Sequence, residues 1–96
     1  MTNRGIAKTD PLYEVKRGLR RWYGLTLEDY NQMFEEQNGC CKICNRHQTD
    51  FKKRLHVDHC HNTNKVRGLL CHNCNLALGR FMDNPETIKA ALEYVK

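Results

Sequence analysis

The residues best able to do chemistry sit in one stretch, LHVDHCHNTNKVRGLLCHNCN, from Leu55 to Asn75, which holds four histidines and three cysteines. A second cysteine-rich turn, CCKIC, lies upstream from Cys40 to Cys44. Cys41-x2-Cys44 and Cys71-x2-Cys74 each have the spacing that lets two thiolates reach one tetrahedral ion from a single turn. The pairs are separated by 26 residues, Asn45 to Leu70, longer than the usual ribbon spacing but roomy enough for a hairpin. These four cysteines are predicted to hold a structural zinc. A redox dithiol is the competing reading of either pair, and two pairs flanking a hairpin disfavour it. Cys40 and Cys60 are left over. Cys40 leaves three residues before Cys44, a looser turn than Cys41 makes, and both leftovers are expected to be small, partly buried thiols.

Zinc takes four ligands, so Asp58, His59, His61 and Asn75 are free for other work. Asp58 offers a hard oxygen ligand and Asn75 a carbonyl oxygen. Two protein oxygens, completed by water and a phosphate oxygen, suit Mg2+ or Mn2+. His59 could take a proton from water, since imidazole titrates near neutral pH. His61 could hydrogen-bond a phosphate oxygen. Strict strand alternation would send Asp58 and His59 to opposite faces, so this reading requires the strand to end or bend between them. Each residue also has a structural alternative: Asn75 could cap a helix, and Asp58 could pair with Arg67 across the hairpin. His56 and His72 are assigned no role.

Several elements must position these groups. Asp10-Pro11 predicts a helix start, with Leu12, Val15, Leu19 and Trp22 as its apolar stripe and Gly24 as its left-handed end. Thr26-x-x-Asp29 predicts a capping box opening a second helix, with Leu27, Tyr30, Met33 and Phe34 on one face and a stop near Asn38-Gly39. Residues 55–59 and 65–70 predict a hairpin closed by His61 to Asn64. CHNCNLALGRF predicts a cysteine turn running into a helix. Asn84-Pro85 predicts a cap for a last helix that buries Ile88, Leu92 and Val95. The chain is expected to be one small zinc-stabilised α+β domain over 1–96, with a basic first helix (1–24), a second helix (25–39), the knuckles and hairpin (40–81) and a last helix (82–96).

The 96 residues carry a formal net charge of +5, unevenly spread. Residues 1–24 hold six Lys/Arg and two acids, residues 25–39 four acids and no base, and residues 40–70 seven bases and two acids. Zinc bound to four thiolates subtracts about two charges, leaving a basic protein suited to a polyanion. Arg20, Arg21, Lys52, Lys53, Arg54, Lys65 and Arg67 are the expected contacts to backbone phosphates of DNA, which position a duplex without reading its sequence. No run approaches the length of a membrane span, and MTNRGIAKTD lacks the apolar core of a signal peptide, so a reducing cytoplasm is expected.

LHVDHCHNTNKVRGLLCHNCNLALG resembles the signature of the recombination endonuclease VII family of phage HNH nucleases. The preceding YGLTLEDYNQMFEEQNGCCKIC resembles that family's lead-in helix and first knuckle, so the likeness runs from about Trp22 to Gly79. It implies a ββα-metal (HNH, His-Me finger) core of hairpin plus helix with flanking helices. It also implies metal-dependent cleavage of DNA, with Asp58 and Asn75 as ligands of the catalytic Mg2+ or Mn2+, His59 as general base and His61 as a further active-site histidine. A homodimer is expected by the same resemblance. Two departures stand out. Asn64 occupies a turn position where many members have Gly, and Asn is the next-best residue for positive φ. Leu78 lies where the family's Holliday-junction resolvase carries an acid, and the chain ends 22 residues after Cys74, short of that resolvase's extension. The resemblance therefore carries phosphodiester hydrolysis further than junction resolution. The rival expectation is a zinc-containing DNA-binding regulator without catalysis. It accounts for charge and cysteines, but not for Asp58, His59 and Asn75 occurring together. A protein-interaction zinc module leaves the basic bias unexplained.

Overall fold

Thr26 and Gly24 set the angle between the first two helices. The computed structural model describes residues 9–96, so Arg4 and Lys8 of the basic first segment lie outside the described residues. Helix α1 spans Tyr13–Tyr23 and α2 spans Leu27–Glu36. Gly24 ends α1 at φ 67°, a left-handed conformation that costs glycine little, and its N–H donates back to the Arg20 carbonyl. Two residues on, the Thr26 hydroxyl accepts from the Asp29 N–H and the Asp29 carboxylate accepts from the Thr26 N–H, both at 3.0 Å. The predicted capping box is therefore present in full.

α1 departs from expectation at both ends. Asp10 caps a turn rather than the helix itself. Its carboxylate accepts from the Leu12 N–H at 2.7 Å and pairs with Lys16, so α1 begins two residues after Pro11. Trp22, expected in the apolar stripe, is 71 % exposed and lies under the Arg21 guanidinium. Val15, Leu19 and Tyr23 face the core instead, a spacing of four. The stripe drifts by that extra residue at its last turn.

Strands β1 (His56–His59) and β2 (Val66–Leu70) form an antiparallel hairpin, followed directly by helix α3 (His72–Arg80) and then α4 (Pro85–Val95). Asn64 closes the hairpin turn at φ 62°, as its residue type allows. The core joins Leu19, Tyr30, Leu55, Val57, Leu69 and Leu70 to Cys41 and Cys71. Hydrophobic contact and knuckle are thus one structure. Gln37, at the end of α2, serves the outer edge of β2 like a short strand. Its amide oxygen accepts from the Leu69 N–H at 2.9 Å, and its amide nitrogen donates to the Leu69 carbonyl at 3.0 Å. Gly68 leaves room for this approach, since a Cβ there would come within 3.1 Å of the Gln37 oxygen and push the Lys42 side chain aside.

Tyr30 donates its hydroxyl to the Leu55 carbonyl at 2.6 Å inside this core. Tyr30→Phe leaves that carbonyl buried without its partner. The expected cost is about 2 kcal/mol in denaturant unfolding, with zinc content unchanged. A variant as stable as the parent would show that the bond contributes nothing net.

The last helix corrects a second expectation. Asn84 caps α4 as predicted, accepting from the Glu86 N–H at 2.9 Å. Ile88 is only half-buried, Leu92 is 52 % exposed and Val95 75 % exposed. Amphipathic spacing marks a face able to be buried, and the Leu92 and Val95 end of this one is open to solvent.

Candidate metal and catalytic centre

Two sites adjoin the hairpin and α3: a four-cysteine cluster and a cleft lined by histidines and carboxylates. The Sγ atoms of Cys41, Cys44, Cys71 and Cys74 lie within 4.8 Å of one another, with Cys44 and Cys71 3.9 Å apart. Tetrahedral zinc–thiolate bonds of about 2.3 Å require sulfurs a little under 4 Å apart, so the four cysteines could hold a zinc ion after small adjustments. The electrostatics agree with that fit. Burial works to raise the Cys41 thiol, but the N–H groups of both knuckles outweigh it and hold Cys41 down to about 6. Burial and then the neighbouring sulfurs push Cys74 well up. Four crowded thiols ionise together only around a cation. Cys40 and Cys60 are half-buried and outside this cluster, as expected. Cys40 leans on the Asn38 carbonyl, and Thr63 in the hairpin turn draws the Cys60 thiol below its usual range.

The second site depends on a bulge. Asp58 pairs with Gly68, but the next residue, His59, pairs with Val66, so Arg67 is an extra residue on β2. A bulge of this kind re-aims side chains. The register shift falls between Asp58 and His59, where the sequence reading requires the strand to end or bend. Asp58, His59, His61 and Asn75 consequently line one cleft of about 340 Å³ between hairpin and α3, joined there by Tyr23 and Asp83. The His59 ring lies between Tyr23, at 5.7 Å, and His61, at 5.2 Å between centroids. Asn75 does not cap α3. Cys71 is the N-cap, its sulfur accepting from the Cys74 N–H at 3.4 Å, and Asn75 sits a turn inside with its amide on the cleft.

Asp58 is 8 % exposed and is the one buried charged side chain among the described residues. A buried carboxylate needs a partner, and Arg67 is that partner. Its Nε donates to Asp58 Oδ2 at 2.7 Å and its Nη2 to Oδ1 at 3.0 Å. The cross-hairpin pair weighed from the sequence is therefore real, and the Arg67 guanidinium faces carboxylates in the cleft. The other basic residues, Arg20, Arg21, Lys52, Lys53, Arg54 and Lys65, are all exposed. Arg20 and Arg21 share one shallow groove with Tyr13 and Arg17, but Lys52 to Arg54 and Lys65 lie on separate segments. Sequence reasoning missed Tyr23 and Asp83. Tyr23 was detectable as the aromatic ending a basic helix, whereas nothing local marks Asp83.

The donor set suits a hard divalent ion: a buried carboxylate and an amide on facing elements, with two imidazoles beside them. A four-cysteine cluster that could hold zinc, fused to a hairpin and helix whose histidine, carboxylate and amide side chains line one cleft, makes a small module. Comparison with known proteins places it. The family model for recombination endonuclease VII matches residues 16–96, and the chain belongs to that family. It is 50 % identical over 74 residues to the Gene 59 protein of Mycobacterium phage L5, a match covering 76 % of this chain and 44 % of the relative. It is 45 % identical over 75 residues to the Gene 59 protein of Mycobacterium phage D29, covering 77 % of this chain and 45 % of the relative. The chain thus spans less than half the length of either relative. Among the described residues, no helix is long and apolar enough to cross a membrane.

Proposed function

We propose that this protein is a metal-dependent DNA endonuclease of the HNH type, with a structural zinc on Cys41, Cys44, Cys71 and Cys74. The observation that carries the reading is the single cleft bringing Asp58, His59, His61 and Asn75 together through the β2 bulge. Membership of an endonuclease family supports it and points to DNA as the substrate class. Asp58 and Asn75 would hold Mg2+ or Mn2+, which when bound supplies Lewis-acid stabilisation of charge on the scissile phosphate. His59 takes the proton of a water aligned with the phosphorus, the water oxygen bonds to phosphorus as the bond to the 3′ oxygen breaks, and the departing 3′ oxygen takes a proton from solvent. The ends produced are 5′-phosphate and 3′-hydroxyl. Tyr23 and His61 hold the His59 ring between them. His61 hydrogen-bonds a phosphate oxygen. Cutting both strands takes two centres, which a homodimer would supply. A reducing compartment such as the cytoplasm would keep the four thiols available to zinc.

The test is incubation with supercoiled plasmid and with a branched DNA, in Mg2+, in Mn2+ and in EDTA, under conditions that leave zinc in place. Nicked or linear product is expected only with the divalent ions. A protein that binds DNA and cuts with none of them is the zinc-containing regulator instead. Binding itself should weaken steeply with salt. Arg20→Ala with Arg21→Ala is expected to lower affinity by similar factors on all sequences and to flatten the salt slope by about two. A loss confined to one sequence would mean base readout and would favour the regulator.

A further inference from the structure

Asp83 lies 25 residues beyond Asp58, on the turn that follows α3, yet it faces the same guanidinium. Arg67 Nη2 donates to Asp83 Oδ1 at 2.9 Å and Nη1 to Oδ2 at 3.1 Å, so one arginine grips two carboxylates, each by two bonds. The turn that delivers Asp83 is unusual. Met82 and Asp83 both take positive φ, 56° and 55°, and the Asp83 N–H donates to the Leu78 carbonyl at 2.8 Å. Two successive left-handed non-glycine residues are uncommon, and they persist where the surroundings hold them. The Asp83 side chain is 15 % exposed and lines the cleft with His59, His61 and Asn75. Its Arg67 hydrogen bond holds its carboxyl below the usual range, and His61 adds to that effect.

A single carboxylate would suffice to neutralise Arg67. With Asp58 alone, the pair would cancel to zero. With Asp83 added, the guanidinium is held by two carboxylates, both Asp58 oxygens are fixed in one orientation by its Nε and Nη2, and the trio keeps one negative charge beside the exposed Arg80 at the cleft's edge. We infer that Asp83 is a positioning residue of the proposed nuclease centre: it fixes Arg67, and through Arg67 it fixes the Asp58 carboxylate in the orientation that receives the divalent ion. This rests on the nuclease reading, in which Asp58 is a ligand of that ion. Partners that orient a ligating carboxylate typically matter by one to two decades in metal affinity.

Asp83→Asn is the informative variant, because Asn tolerates the left-handed backbone and leaves the four cysteines untouched. Mn2+ binding is measured directly, by the electron paramagnetic resonance of free Mn2+, on zinc-loaded protein without DNA. The variant is expected to bind Mn2+ about tenfold or more weakly than the parent, with zinc content and melting temperature close to it. Arg67→Gln combined with Asp83→Asn returns the charge of the trio to its original value without the clamp, and is expected to stay weak. Parent-like Mn2+ affinity in Asp83→Asn overturns the inference. So does recovery in the double variant, which would reduce the effect to charge alone. A parent protein that binds no Mn2+ removes the metal centre itself, and the nuclease reading fails with it. That outcome is distinct from a parent that binds and an Asp83 variant that binds equally.

Discussion

Cys71→Ser is expected to leave a chain that neither holds zinc nor folds. Cys71 belongs to three structures at once. Its sulfur is one of the four in the cluster, its side chain caps α3, and it is a buried member of the core at 3 % exposure. Structural zinc contributes on the order of 10 kcal/mol to folding, about as much as the whole net stability of an ordinary domain. Serine can cap α3 as cysteine does, so the loss is the metal's alone. That loss exceeds what a core of this size can absorb, so the far-ultraviolet circular dichroism of a helical protein should collapse. Cys60→Ser and Cys40→Ser are the controls. Both thiols are outside the cluster, and both variants should keep one zinc per chain and a parent-like melt. Metal analysis in which Cys71→Ser retains zinc while Cys60→Ser loses it would refute the ligand assignment.

The same residues show what a sequence can carry. The knuckles were legible because two residues between cysteines is a local geometric requirement, satisfied or not within one turn. The Thr26–Asp29 box, the Gly24 end of α1, the Asn64 turn and the Asn84 cap are legible for the same reason: each is a bond or a φ within a few residues. What was not legible depended on other segments. Trp22 and Tyr23 are adjacent aromatics, and only the drift of the helix against the core decides that Tyr23 turns inward to His59. Leu92 and Val95 have the spacing of a buried face, but spacing is silent on whether anything lies opposite. Arg67 read equally well as a phosphate contact or as the partner of Asp58. At the β2 bulge it bonds Asp58 and Asp83 instead, and a bulge has no signature in the residues around Gly68. Asp83 was least visible of all, since its role depends on the arginine that reaches it from the other side of the hairpin.

His59→Ala is expected to separate cutting from everything else the protein does. The residue is no part of the cysteine cluster and lies outside the buried core, so zinc and fold should survive its removal. It adds no cation to the exposed basic surface, so DNA binding should change little. General-base catalysis contributes about two to four decades of rate, and cleavage should therefore slow at least about a hundredfold. Asp58→Ala should fail differently. It takes away the proposed oxygen ligand and leaves Arg67 with Asp83 alone, so cleavage should fall with Mn2+ affinity, and raised Mn2+ should recover part of it. Asn75→Ala sharpens the contrast. Asn75 lies inside α3, where Ala is the better helix former, so its loss should cost activity without costing helix stability. Three variants of one cleft thus predict two patterns: slow cutting at parent metal affinity for His59→Ala, and slow cutting relieved by raised metal for Asp58→Ala and Asn75→Ala. If His59→Ala cuts as fast as the parent with zinc retained, the water is activated by some other group. Cleavage that persists in all three variants would mean that the cleft is not where the phosphodiester is broken.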